Sequence, residues 1–399
     1  MVVSLAVLVA AGVAMSAEGK KVLRATQVSA PPVIDGDLSD AVWRQAGVSG
    51  GFVNEESGAS ASQPTLVYAL SDADHLYLAF RCAEPSTDQM LARATRDNAS
   101  VWGDDCVEVN LDPTGGSQQI YQIAVNSIGT KEFELRGYGH LDASAIHAAA
   151  RVGRDQWTVE VALPFAAVGI VRSPQVEMPW RVNFERLRTI GGEEAGDWAN
   201  PDIYGQVIVP GGAIVVEAFG HGPLGVGRPA MGFARLSGRS TGPSDLRITI
   251  NDLSAEEHIV SQRVLLGPGA TTSAPLDFIP SKSGEHRYRW SLHDNTSGAL
   301  LYSFERMVKV EKAVTAYVFY HSGELLVEAD TRAWGKLPAD ATVEFQLVRA
   351  GSDSPAQTLV GKRLPEQNIA EGCFKCEGLR GGEYEVRAVA KNRTGRTLG

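Results

Sequence analysis

A chain of 399 residues exceeds one small domain and leaves room for two to four. Its 37 basic and 47 acidic residues give a net charge of −10, without the basic stripe that nucleic-acid binding requires. Apolar content is ordinary at 44%, and 42 glycines suit many tight turns between short strands.

The chain opens on MVVSLAVLVAAGVAMSA, Met1 to Ala17, an apolar run ending in small residues. It reads as a secretory signal peptide, too short to span a bilayer. The expected location is therefore secreted, periplasmic or cell-surface, with no membrane span after cleavage and a monomeric state. Next comes Ala30-Pro-Pro-Val-Ile-Asp-Gly-Asp-Leu-Ser-Asp-Ala-Val-Trp43. Asp35-Gly36 is a turn signal, and Leu38 to Trp43 suit one helical turn with Trp43 packed inside. Asp35, Asp37 and Asp40 offer hard oxygen ligands for a calcium ion. The plainer reading is a turn capped by its own carboxylates.

Leu66–Leu70 and Leu76–Phe80 form the clearest hairpin, turning at Ser71–His75. Ser100 to Pro113 follows, a tryptophan in a Gly/Asp-rich turn running into a strand. There Val107, Val109 and Leu111 share one side and Cys106, Glu108 and Asn110 the other. Short β-rich stretches recur at Gln119–Ser127, Trp157–Leu163 and Trp180–Arg188, with at most one helical turn over Pro164–Val168. Alternation puts Asn126 and Glu185, like Glu108, on non-core faces. Trp198 lies in the polar loop Gly196–Gly205, where burial is hard to arrange. Trp102 and Trp198 offer opposed plates for a sugar ring, whose C–H faces stack on indoles while its hydroxyls meet a polar patch of Glu108, Asn126 and Glu185; the plainer readings are a loop-anchoring Trp198 and a solvated strand face. Cys82, Cys106, Cys373 and Cys376 lack a second C-x-x-C pair and read as structural or incidental.

Five pieces in order carry a resemblance: Val33–Trp43, the Leu76-Tyr-Leu hairpin, Trp102-x-x-Asp-x-Val-Glu108, Trp157–Phe165 and Trp198-x-x-Pro-x-x-Tyr-Gly205. The series resembles the family 9 carbohydrate-binding module over residues 24–210. That resemblance implies a jelly-roll β-sandwich related to DOMON domains, structural calcium, and a mono-, oligo- or polysaccharide clamped between Trp102 and Trp198. Glu108 matches the hydroxyl-binding carboxylate of the motif and Asn126 a hydrogen-bonding amide. Two positions depart: Ala124 stands where the motif has arginine, and Glu185 where it has glutamine. Losing a donor and gaining an acceptor alters which hydroxyls are satisfied. Arg186 and Arg188 are candidate replacements, but alternation sends both to the face opposite Glu185.

The remainder reads as two smaller immunoglobulin-like or fibronectin-like β-sandwiches, at 224–313 and 314–399, which completes an all-β chain. Trp290 is expected in a core and Trp334 in a loop contact. The abrupt ending at Gly399 suggests a longer protein, with a glycoside hydrolase as the natural missing domain. Within these residues no nucleophile motif, metalloprotease motif or phosphate loop appears. Asp104, Asp105 and Glu108 cluster as glycosidase carboxylates do, yet Asp104 and Asp105 flank a turn and are expected to be hydrated. Non-catalytic carbohydrate binding, in the service of a polysaccharide-degrading enzyme, is the reading that results. Its rivals are a DOMON-type haem electron-transfer domain, using Met90 with His140 or His147, and a structural or adhesion protein with a degenerate sugar site.

Overall fold

The computed structural model describes residues 14–15, 20–116, 119–192, 194–199, 204–319, 321–334, 337–352 and 354–398. The signal-peptide reading of Met1–Ala17 lies outside them, apart from the two-residue strand Ala14–Met15. Residues 200–203 of the Trp198 loop also lie outside. The described residues form strands and short 3-10 turns with no α-helix. None of their helical segments is long and apolar enough to cross a membrane.

Two sheets face each other in the first half. The smaller runs His147–Val152, Gln156–Pro164, His75–Ala83, Thr65–Ser71 and Thr26–Gln27. The larger passes from Lys21–Arg24 through Gly205–Val209, Val176–Arg188, Cys106–Asp112 and Tyr121–Asn126 to Lys131–Leu135 and Gly139–His140. Alternation decides what each sheet buries. Val107, Val109 and Leu111 meet Leu78, Phe80, Val159 and Val161 across the sandwich, all at most 1% exposed. The turn expected near Trp43 is a 3-10 segment, Ala41–Gln45. Trp43 packs with Leu70 and Tyr77 on the outer side of the smaller sheet, and its Nε1 donates to buried Glu160 at 2.7 Å.

The core does not stop at residue 210. Strand Ile214–His221 lies in the expected linker and runs parallel to the start of Val176–Arg188. Ile170–Arg172 leaves the first module to pair with Leu300–Val310, in the sheet that also holds Gly284–Asp294 and Ser244–Asp252. One hydrophobic cluster consequently extends from Leu23 to Val310 and includes Trp290. Arg306, itself buried, donates to Thr114 of the first module at 2.8 Å. The third module has its own core around Val327, Phe345 and Phe374, with Trp334 half-buried against it. Arg228 ties it to what precedes, reaching Glu311 at 2.9 Å and Asp330 at 2.7 Å.

Candidate saccharide-binding face

The outward face of the larger sheet carries an unusual density of polar side chains. Register places Glu185 directly opposite Glu108, and Asn183 opposite Asn110, which in turn faces Gln122. On the far side of the long strand, Asp197 pairs with Glu185. These groups bond mainly to one another. Asn110 Nδ2 donates to Glu185 Oε1 at 2.8 Å and Asn183 Nδ2 to Asp197 Oδ1 at 2.7 Å, while Gln122 Nε2 donates to Glu108. Arg136, just past the strand Lys131–Leu135, reaches back to Asn110 Oδ1 at 2.9 Å.

Outward does not mean wetted here. All seven residues of Cys106–Asp112 are buried, and Glu108 is only 3% exposed. Burial pushes the Glu108 carboxyl up from its ordinary value, while Gln122, Asn110 and Arg136 pull it back. Glu185 is pushed up to about 8 by burial first, then by the charges of Glu108 and Asp197. Asp197 is raised as well, by burial. Among the described residues no basic side chain forms an ion pair with any of the three. Two carboxylates at adjacent positions cannot both ionise cheaply in such a site. At neutral pH the pair therefore retains a proton, which gives the floor one O–H donor beside acceptors.

Trp102 stands at one end of this floor. It is half-buried on a pad of Cys106 and Ala124, with Leu187 alongside. Ala124, which replaces the motif's arginine, is what leaves room for that apolar pad. At the other end lies Tyr204, held at φ 47°, with the Arg181 guanidinium 5.1 Å from its ring centre. The charges of Arg136, Glu185 and Glu108 all act on its hydroxyl.

The second expected plate is absent. Trp198 is fully buried in the core. Its Nε1 donates to Ser49 Oγ at 2.9 Å, and its ring lies 5.1 Å from that of Phe184. The cause is a short strand, Glu194–Asp197, that the sequence reading passed over as loop. Once Asp197 faces outward beside Glu185, alternation turns Trp198 inward. Gly205 is part of the same arrangement, since a Cβ there would sit 2.4 Å from the Trp198 ring. Trp102 and Trp198 thus occupy opposite faces of one sheet and cannot clamp a ring.

Asn126 is also corrected. It lies fully buried at a strand end, donating to Ala94 O and to Asp104 Oδ2, both at 2.9 Å. Its Oδ1 accepts from Ile128 N and Thr130 N at 3.2 and 2.9 Å. With both ends engaged it shapes a turn instead of meeting a ligand. Asn126→Ala is expected to cost about 1–3 kcal/mol of stability through the orphaned amides. Denaturant titration beside a binding isotherm checks this, the per-site affinity staying unchanged. Asp104 and Asp105, expected to be hydrated, are buried anchors. Asp104 accepts from Arg93 N and Ala94 N, and Asp105 from Leu91 N and Thr189. Arg186 and Arg188 do turn to the other face, where both grip Glu84, at 3.2 and 2.7 Å. Arg136 supplies the missing guanidinium in their place.

The calcium reading of Asp35, Asp37 and Asp40 does not fit these residues. Each carboxylate accepts from a nearby backbone N–H, of Asp37, Ser39 and Val33 respectively, and Asp37 also pairs with Arg151. The three do not converge. Among the described residues one set of side chains has ligand atoms within 4.8 Å of one another, Glu132, Glu134 and His140. With imidazole among its donors, that set suits a transition metal better than calcium. The haem reading gains nothing. His140 Nε2 is engaged by Glu132 at 2.9 Å, His147 begins a strand of the smaller sheet, and Met90 packs against the core.

Residues 34–211 match the family model described as carbohydrate family 9 binding domain-like. No curated protein matches the chain. Similar solved structures include a protein from Bacteroides uniformis, 16% identical, covering 47% of this chain and 99% of that one at a TM-score of 0.39. Two others are a family 9 module from Caldicellulosiruptor kristjanssonii in complex with glucose and with cellotriose. The first is 17% identical over 47% of this chain and 94% of that one, TM-score 0.36; the second is 18% identical over 48% and 94%, TM-score 0.35. Residues 34–211 are thus similar to the carbohydrate family 9 binding domain-like family.

Proposed function

We propose that this protein binds a saccharide on the outward face of the larger sheet, with Trp102 as its single aromatic plate. The observation that carries the reading is the polar row on one face of the sheet, with Glu108, Asn110 and Asn183 buried and Glu185 and Gln122 half-buried, in a segment similar to this family. A sugar edge offers alternating donors and acceptors. The amides supply both kinds, Arg136 adds donors, and the proton retained by the carboxyl pair lets an acidic floor donate as well as accept. Stacking on Trp102 then covers one apolar face of the ring.

One plate and a partly self-satisfied floor imply modest affinity, in the micromolar to millimolar range. The role is non-catalytic, since the buried carboxylates near the floor are committed to structural bonds or to each other. In the wider setting the protein is secreted and serves a polysaccharide-degrading enzyme, delivering it to its substrate. Calorimetric titration with neutral mono- and oligosaccharides tests the reading. Trp102→Ala is expected to weaken binding by roughly 1–3 kcal/mol, with the thermal midpoint little changed because the ring is only half-buried. If no saccharide in the panel binds, or if Trp102→Ala binds as tightly as the parent, the reading fails and a structural role takes its place.

A further inference from the structure

Beyond Tyr204 the outward face continues into a cavity of about 450 Å³, where the first module meets strands Ile214–His221 and Gly232–Gly238 of the second. That volume lies within the range of small-ligand sites. Its lining includes Lys20, Arg181, Arg235 and Arg239 against the carboxylates Glu177 and Glu217. Glu177 is already spent: it is buried and held by Arg24 at 3.0 Å and by Arg239 at 2.6 Å. Glu217 accepts the Ser237 hydroxyl. Arg235 is exposed and, among the described residues, has no hydrogen bond or ion pair. A local excess of cations on a chain of net charge −10 creates a potential that attracts anions to this one place.

We propose that this cavity is a compartment for the carboxylate of an acidic sugar, a uronate unit of an oligosaccharide whose neutral neighbour lies on the polar face. The assignment of a sugar, as opposed to another carboxylate, rests on the polar-face reading. Continuity supports it: Arg181 follows Asn183 and Glu185 along the same face of one strand, and Tyr204 borders both the carboxyl pair and the cavity. Arg181 and Glu185 are four positions apart, roughly 13 Å along a strand, so a ligand longer than one ring bridges them. The planar, bidentate fork of Arg235 matches a carboxylate, and nothing in the described residues competes for it.

The test compares a glucuronate-ended oligosaccharide, its neutral counterpart and free glucuronic acid, titrated into the full chain and into Arg235→Ala and Arg235→Glu. Exposure of Arg235 makes both variants safe for folding, which thermal midpoints verify. The acidic oligosaccharide is expected to bind at least tenfold tighter than the neutral one. That advantage shrinks at high salt, where exposed charges are screened, and vanishes in Arg235→Glu, while neutral binding is unaffected. Equal affinity for the two, or an advantage that survives Arg235→Glu, overturns the compartment and leaves the polar-face reading standing. Should the neutral ligand fail to bind at all, the polar-face reading falls and free glucuronic acid decides. Retention by the parent with loss in Arg235→Glu supports the compartment; no retention overturns it.

Discussion

Trp198→Ala is expected to destabilise the protein by roughly 3–5 kcal/mol, the cost of removing a large aromatic side chain from a packed core. The ring touches Phe184, its N–H holds Ser49, and Gly205 makes way for it. Truncation therefore leaves a cavity and an unpartnered hydroxyl together. In a cooperative unit of this size the thermal midpoint is expected to fall by about 10 °C. The contrast with Trp102 is the informative part. One tryptophan moves stability and the other moves binding, and scanning calorimetry with isothermal titration on the two variants separates them. A Trp198→Ala protein as stable as its parent returns that ring to the surface and reopens the two-plate clamp.

The second large effect is on pH dependence. A carboxyl whose native pKa lies above its unfolded one binds its proton more tightly when folded. Its stabilising contribution is then complete below the unfolded value near 4.5 and drains away as pH rises through the native value, about 8 for Glu185. Each pH unit of difference is worth about 1.4 kcal/mol. The partial exposure of Glu185 discounts the total to the order of 3 kcal/mol. Glu84 and Asp72, whose carboxyls are held low, respond in the opposite sense, so the clean quantity is the difference from Glu185→Gln. An amide keeps the acceptor for Asn110 and Asn183, offers Glu108 a donor and cannot ionise. Glu185→Gln is expected to gain on the parent steadily between pH 4.5 and 8 in denaturant titrations. Parallel curves would mean that the pair carries no shared proton.

Much of this fold is written in period-2 alternation. Val107, Val109 and Leu111 are buried as their spacing demands, and the hairpin at 66–80 and a helical turn at Trp43 form where the sequence puts them. Alternation also lifts Glu108 and Glu185 to one face, and register brings them opposite each other. It is blind to two things. A four-residue strand rich in Gly, Ala and acidic residues, Glu194–Asp197, carries no hydrophobic signal, and missing it reversed the facing of Trp198. The loop at residues 91–105 also folds over the end of Tyr121–Asn126, so Asn126 points outward by parity yet ends fully buried beneath Ala94 and Asp104. Arg136 escaped notice because it lies beyond its strand and reaches the floor only through a long side chain. Such placements depend on tertiary contacts between distant segments, which local spacing does not encode.

The hydrophobic interior that runs unbroken from Leu23 to Val310 makes the first two modules thermodynamic partners. Ile170–Arg172 pairs with Leu300–Val310 in the sheet that holds Trp290, and Val176, at the start of the strand that carries Glu185, belongs to the same cluster as Trp290. The ordering of the polar face is in this sense underwritten by residues far from it in the sequence. The shared interior thereby reaches 99 positions past residue 211, where the recognisable family segment ends.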